Sequence, residues 1–169
     1  MLQPSVMPPH PAIRKLFLIV LVGSFAYAIL RYNILKSVEW AQLPLFITNK
    51  ALSLAAVILI SLSYISARIS QDRTWPCWTA FFGYTLAAAH TLASLILLAQ
   101  PGYYPKFHGP NQTLNLTGNL SLISGILAFV GFTCTAVVSL PGIRAALSLE
   151  TWKTRQKPGI YAFWLTLAH

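Results

Sequence analysis

Acidic side chains are scarce in this 169-residue chain, which holds three Asp and Glu residues against twelve Lys and Arg residues. All three carboxylates fall between apolar runs, so the sequence excludes a buried carboxylate pair for general acid–base catalysis. Charged residues make up 9% of the chain, whereas a soluble domain carries about 25%. We therefore expect an integral membrane protein with little chain left for soluble modules.

Other signals are missing as well. The two cysteines, Cys77 and Cys134, form no CxxC motif, so the sequence predicts no disulfide framework and both are interpreted as small buried residues. There is no Gly-rich phosphate loop, and no Asp accompanies Ser and His in a triad pattern. The net charge of +9 does not indicate nucleic acid, because no basic patch with interleaved aromatics lies outside the apolar runs.

What the chain does contain is a series of long apolar runs. Spanning a hydrocarbon core takes about 20 helical residues, and basic side chains at the ends of a shorter run can snorkel outward to extend it. The first run also fits a cleaved signal peptide ending near Ala26-Tyr27-Ala28, although further membrane segments favour a helix. The four predicted spans are Leu16–Leu30, Leu45–Ala67, Trp75–Ala99 and Leu120–Leu140.

A fifth apolar run, Gly159–His169, follows the basic segment Pro141–Pro158. Eleven helical residues would cover about 16 Å, roughly half of a 30 Å core. The sequence therefore predicts an all-α, polytopic transmembrane bundle with four full spans and a truncated fifth, cut from a longer protein or reading frame. Residues 1–12 are predicted to be a disordered leader, and residues 13–169 one C-terminally incomplete membrane domain.

The basic residues predict the orientation of this bundle. With the N-terminus inside, the inner segments hold eight Lys and Arg residues and the outer segments hold four. Cytoplasmic loops carry the excess of Lys and Arg in membrane proteins. We therefore expect a cytoplasmic N-terminus.

His90 interrupts the apolar run Trp75–Ala99, and an ionisable residue inside a span is a functional-site hypothesis. It lies 13 residues past Cys77, and His169 lies 10 residues past Gly159. These offsets correspond to about 20 and 15 Å of helix, which predicts a similar depth for both histidines. Two neutral imidazoles facing each other across a bundle could take both axial positions of a heme b.

Small residues surround His90 at Ala87, Ala88, Ala89 and Ala93. They would let a flat macrocycle approach the helix, and they would equally let another helix pack closely. The alternative to a heme ligand is therefore a membrane histidine that only forms a hydrogen bond with a neighbouring helix.

Two stretches add a family resemblance: NKALSLAAVILISLSYISA in the second span and SLPGIRAALSLETWKTRQKPGIYAFWLTLAH at the end of the sequence. Together with HTLASL around His90, they resemble the ferric reductase-like transmembrane domain, in particular the membrane portion of the STEAP metalloreductases. The resemblance covers about residues 13–169. The matching positions are Asn49, Lys50, Leu52, His90, Ser139, Leu140, Pro141, Gln156, Gly159 and His169.

The resemblance implies that His90 and His169 are the axial ligands of one heme b. The resemblance also implies an FAD site near the cytoplasmic loops, where basic side chains would offset the charge of the pyrophosphate. Membrane topology and lipid contact explain those basic residues equally well. The family has a basic, glycine-containing segment before its third helix, whereas this chain has the sequence TWPCW there. The residues that the resemblance places near a flavin are Arg73, Arg144, Lys153, Arg155 and Gln156.

The cytosolic NADPH-binding domain of the animal STEAP enzymes has no counterpart in this sequence. We therefore expect transmembrane heme b electron transfer of the ferric or metal reductase type, supplied by a reductase partner or a quinol and directed to an external acceptor such as ferric iron. Two alternatives stay open: a heme-binding subunit of a larger quinol- or protein-linked complex, and a non-catalytic truncated fragment. Membrane lipid and a second copy of the chain are the other partners considered.

Overall fold

A computed structural model of the protein describes residues 10–69, 74–100, 107–109, 111 and 113–168. Within these ranges the backbone forms six α-helices and no strand, which confirms the predicted all-α class. The helices are α1 (Pro11–Ala28), α2 (Thr48–Ile69), α3 (Thr74–Leu98), α4 (Leu116–Ser139), α5 (Pro141–Ala146) and α6 (Leu149–Ala168).

Four helical segments of the described chain are long and apolar enough to cross a membrane, as the sequence predicts. Their lengths of 24 to 30 residues correspond to about 36 to 45 Å of helix, which exceeds a hydrocarbon core of about 30 Å. This architecture is compatible with an integral multi-pass membrane protein. The segments are Pro11–Ile34, Trp40–Ile69, Thr74–Leu98 and Leu116–Ser139.

The last helix is longer than the sequence predicts. Instead of beginning at Gly159, α6 begins at Leu149, so most of the predicted basic loop is helical. Ser148 caps its start, because its Oγ accepts a hydrogen bond from the backbone N–H of Thr151 at 3.2 Å. The Lys, Arg and Gln residues that follow are good helix formers, and the helix continues through Pro158.

The segment between α1 and α2 is also largely helical, although a mixed connector is predicted there. The α1 helix continues as a π-helix over Ile29–Ile34, and a second π-helix over Leu43–Ile47 leads into α2. Between them Ser37 adopts a positive φ of 53°, and the side-chain amide of Asn33 donates to the carbonyl of Val38 at 2.9 Å. A tight turn around Ser37 therefore separates the two π-helices, whose turns are wider than those of an α-helix.

Helices α1, α2 and α3 belong to one compact unit, which lies within Pro8–Tyr103. Among the described helices, α2 and α3 share the most extensive packing. Close approach is possible because Gly83 of α3 lies against Ile60, where an added Cβ would come within 2.7 Å of Ile60 Cγ1. The core of this unit contains buried Ala55, Ala56, Leu59 and Leu86, with Phe17 and Phe82 packed against it.

Helices α4, α5 and α6 belong to a second compact unit, which lies within Tyr104–His169. The side chain of Asn115 caps α4 by accepting a hydrogen bond from the N–H of Gly118 at 2.9 Å. Helices α4 and α6 cross closely at Gly131, where a Cβ would lie 2.9 Å from the Cβ of Ala162 and 3.1 Å from the carbonyl oxygen of Pro158. Small residues thus set the helix spacing in this unit too.

The interpretation of the cysteines as buried residues is wrong. Cys77 on α3 and Cys134 on α4 both have exposed side chains. Burial is predicted because cysteine is apolar. The outer face of a membrane helix contacts lipid, which is apolar too, so a thiol on that face does not have to be buried by other side chains.

Candidate functional site

His90 points from α3 toward the first turn of α2. Its Nδ1 lies 2.7 Å from Oδ1 of Asn49 and 3.2 Å from the backbone oxygen of the same residue. Asn49 is fully buried, and His90 is half-buried. A polar contact therefore joins two apolar helices within the α1–α3 unit.

Ser94, one turn after His90 on α3, completes this cluster. The side-chain amide nitrogen of Asn49 donates to Ser94 Oγ at 3.0 Å, and Ser94 Oγ lies 3.4 Å from both Asn49 Oδ1 and His90 Nδ1. This contact orients the Asn49 amide with its nitrogen toward the serine and its oxygen toward the imidazole. We call Asn49, His90 and Ser94 the His90 cluster.

The His90 cluster defines which imidazole nitrogen carries the hydrogen. A backbone carbonyl oxygen can only accept, so the contact with the carbonyl of Asn49 requires Nδ1 to donate, whichever way the amide is turned. In a neutral imidazole the lone pair then resides on Nε2. Metal-bound histidines characteristically donate their second ring N–H to a carbonyl or carboxylate, which fixes the tautomer and raises ligand basicity.

The sequence positions Asn49 through the wide turn just before α2. Leu43–Ile47 is π-helical, and Thr48 Oγ1 donates back to the carbonyl of Leu43 at 3.2 Å. Asn49 follows as a buried residue of the first α2 turn. Wide turns of this kind recur at functional sites, where they change the direction in which a backbone presents its side chains.

The chemistry of the donor set fits a heme axial ligand. Heme b needs one neutral imidazole nitrogen from each of its protein ligands, and donation from Nδ1 would leave the lone pair of a neutral His90 on Nε2. No group of three or more His, Cys, Asp or Glu residues that could hold a bare metal ion occurs among the described residues.

Several predicted site residues fall beyond what is described. His169, the predicted second axial ligand, and Arg73 lie outside the described residues. Arg144 belongs to α5, but its side chain lies outside the described part of the chain. Their predicted roles stay predictions.

The described members of the predicted flavin set lie on α6. Lys153 pairs with Glu150 at 3.5 Å in an exposed i,i+3 contact, and Arg155 is exposed as well. Gln156 instead contacts α4, since its amide nitrogen donates to Ser139 Oγ at 2.9 Å and approaches the carbonyl oxygen of Thr135 at 3.5 Å. Gln156 thus links α4 and α6, and a flavin role for these residues stays a prediction.

The partners of His90 were not predicted from the sequence. Ser94 lies four residues after His90, and such residues share a helix face, so this neighbour could have been found from spacing alone. Asn49 carried a weaker signal, as an amide next to Lys50 inside an apolar run. Only the packing of α2 against α3 brings it to the histidine.

A comparison with known protein families finds no family model that matches this chain, and a comparison with curated proteins finds no match either.

Proposed function

We propose that this chain is a transmembrane heme b electron carrier of the ferric or metal reductase type, with His90 as one axial ligand. The observation that carries the proposal is the donation from His90 Nδ1 to the backbone and side-chain oxygens of Asn49. In a neutral imidazole this donation leaves the lone pair on Nε2, the nitrogen that would ligate iron. The sequence-predicted second ligand is His169, which lies outside the described residues.

The heme, when bound, supplies one-electron redox chemistry, and the protein supplies ligation, orientation and burial. Asn49 and Ser94 hold the His90 ring in one orientation through contacts with Nδ1. The cluster joins the apolar helices α2 and α3, and a low local dielectric strengthens hydrogen bonds of this kind. These are roles of the chain's own residues and do not depend on the identity of the acceptor.

The direction of electron transfer follows from the proposed orientation. We place the N-terminus in the cytoplasm, because the positive-inside distribution of Lys and Arg favours it. Electrons would then pass from a cytoplasmic reductase partner or a membrane quinol to an external acceptor such as chelated ferric iron. FAD bound by the basic residues of α5 and α6 belongs to the same proposal.

One experiment tests the heme directly. The chain is purified in detergent, and its visible spectrum is recorded in the oxidised and the dithionite-reduced form. We expect sharp α and β bands on reduction, as a six-coordinate heme b gives. His90→Leu should abolish these bands, and full heme occupancy in this variant would refute the assignment.

Two further variants separate loss of a ligand from loss of folding. His90→Asn removes the imidazole but keeps an N–H donor that can reach Asn49, so it should retain helical content in circular dichroism while losing heme. His10→Asn is the matched control, because His10 caps α1 and asparagine is itself a good cap. It should keep both helix and heme.

A second candidate is a purely structural role for the same residues. The hydrogen bonds of Asn49 with His90 and Ser94 join α2 and α3 as an interhelical contact, which membrane proteins use for packing. This candidate predicts a featureless visible spectrum in a fully helical protein. It also predicts that His90→Leu lowers thermal stability more than His90→Asn does.

A further inference from the structure

Cations and aromatic rings alternate at the end of α1. The Cζ of Arg31 lies 5.7 Å from the ring centroid of Tyr27 and 5.8 Å from that of Tyr32, and Arg31 also donates a hydrogen bond to the Tyr27 hydroxyl. The Nζ of Lys36 lies 5.5 Å from the centroid of Tyr32. Two cations are therefore held against two tyrosine rings; we call these four residues the Arg31 cluster.

The same arrangement continues onto the start of α2. The ring of Tyr32 meets the ring of Phe46 edge-on with centroids 5.5 Å apart, and Lys50 Nζ lies 5.4 Å from the Phe46 centroid. Significant cation–π contacts occur about once per 70–80 residues, so four within residues 27–50 are a local concentration. The rings hold the cations in place and lower the entropy that binding an anion would cost.

The charge of the Arg31 cluster is not balanced by carboxylates. Among the described residues, no ion pair involves Arg31 or Lys36, and both side chains are exposed. Arg31 has five N–H donors, of which the Tyr27 hydroxyl takes one. A fixed guanidinium with further donors, next to an ammonium, matches the oxygens of a phosphate group.

The position along the helix indicates where that phosphate would come from. The helical segment Pro11–Ile34 has 24 residues, or about 36 Å, so its ends extend beyond a core of about 30 Å into the headgroup layers. Arg31 lies in the last turn of this segment, and Arg14 and Lys15 lie near its other end. Tyrosines at this level are typical of a membrane interface.

We infer that the Arg31 cluster is a binding site for the phosphate of an anionic phospholipid headgroup. Charge complementarity indicates an anion, and interface depth favours a membrane lipid over a soluble one. The inference is independent of heme binding, since it uses no residue of the His90 cluster.

The test compares lipids of equal acyl chains added to the detergent-purified full chain, with binding read by native mass spectrometry. We expect saturable binding of phosphatidylglycerol in preference to phosphatidylcholine. The double variant Arg31→Gln/Lys36→Gln should weaken phosphatidylglycerol binding on the order of 10- to 30-fold. The reason is that each basic residue near an anionic headgroup raises the binding affinity by a factor of about three to five. Arg31→Lys/Lys36→Arg keeps the charges and should retain most of the preference.

Arg68→Gln/Lys157→Gln is the matched control, because it removes one arginine and one lysine from exposed positions outside both the Arg31 cluster and the proposed flavin set. An equal loss of phosphatidylglycerol binding in this control would overturn the inference, since the preference would then follow net charge alone. An unchanged preference in Arg31→Gln/Lys36→Gln would overturn it as well. Inorganic phosphate forms the last arm: if millimolar phosphate displaces the lipid, the site binds a soluble anion instead, and the lipid assignment fails.

Discussion

At the scale of single residues, Asn49 is the partner that gives His90 a defined chemistry. It is fully buried and offers the imidazole two oxygens, one from its backbone and one from its side chain. The serine at position 94 holds the amide in the orientation that this requires. The tautomer of His90 is therefore determined by a residue on a different helix.

Replacing Asn49 with Leu should weaken the proposed heme ligation. The variant keeps the backbone acceptor but loses Oδ1, so the imidazole is less well oriented and less basic. Partners of this kind typically contribute about 10- to 100-fold to metal affinity. We expect heme affinity to fall by about tenfold or more in a titration of apoprotein with hemin, together with a raised reduction potential.

Asn49→Asp provides the opposite change, because a carboxylate is a stronger acceptor and should stabilise the ferric state. Its reduction potential is expected to lie below that of the unaltered protein, as measured by potentiometric titration of the α band. Equal potentials in Asn49→Leu, Asn49→Asp and the unaltered chain would show that the amide does not act on the iron. Loss of bands in His90→Leu would still support ligation in that case.

At the residue level, His90 was predicted from the sequence as a site residue, and its partners were not. An ionisable residue in an apolar run is visible without a structure, and so is Ser94 one turn away. Asn49 is 41 positions from His90, and no periodicity connects residues on separate helices. For Gln156, the resemblance suggested a cofactor contact, while the structure shows hydrogen bonds to α4.

At the scale of helices, Gly83 allows α2 and α3 to pack closely. A Cβ at this position would lie 2.7 Å from Ile60 Cγ1 and 3.1 Å from the Ile60 backbone nitrogen. The backbone cannot move aside without shifting α2, so Gly83→Val should destabilise the unit by about 1–3 kcal/mol, the usual cost of overpacking. Thermal unfolding followed by circular dichroism in detergent should show the lower melting temperature.

Gly23 on α1 is the matched control for this change. Nothing lies within 4 Å of a Cβ built at this glycine, so Gly23→Val adds the same side chain without a clash. We expect a melting temperature close to that of the unaltered chain. Similar losses in both variants would mean that helix propensity, and not contact with Ile60, accounts for the effect.

The length of the apolar runs predicted which helices form, but it did not predict where those helices begin and end. The spans were visible because a membrane requires about 20 apolar residues in sequence. The start of α6 was missed because Pro158 and the charges before it read as a loop, whereas the Ser148 cap and good helix formers extend the helix upstream. The π-helical turns around the α1–α2 connector have no sequence signature that the apolar pattern reveals.

At the scale of the whole molecule, the proposed orientation makes opposite predictions for two exposed lysines. Lys36 lies between the first and second candidate spans, and Lys153 follows the fourth. In a background with both native cysteines replaced by serine, Lys36→Cys should react with a membrane-impermeant maleimide in intact cells. Lys153→Cys should react only after permeabilisation, and the reverse pattern would place the N-terminus outside.

The two exposed thiols give the molecule a built-in pair of attachment points. Cys77 belongs to the α1–α3 unit and Cys134 to the α4–α6 unit, and both are exposed. A nitroxide spin label on each would therefore need no engineered cysteine. Double electron–electron resonance between the labels would yield a distance distribution, whose width measures directly how far the arrangement of the two units varies in a bilayer.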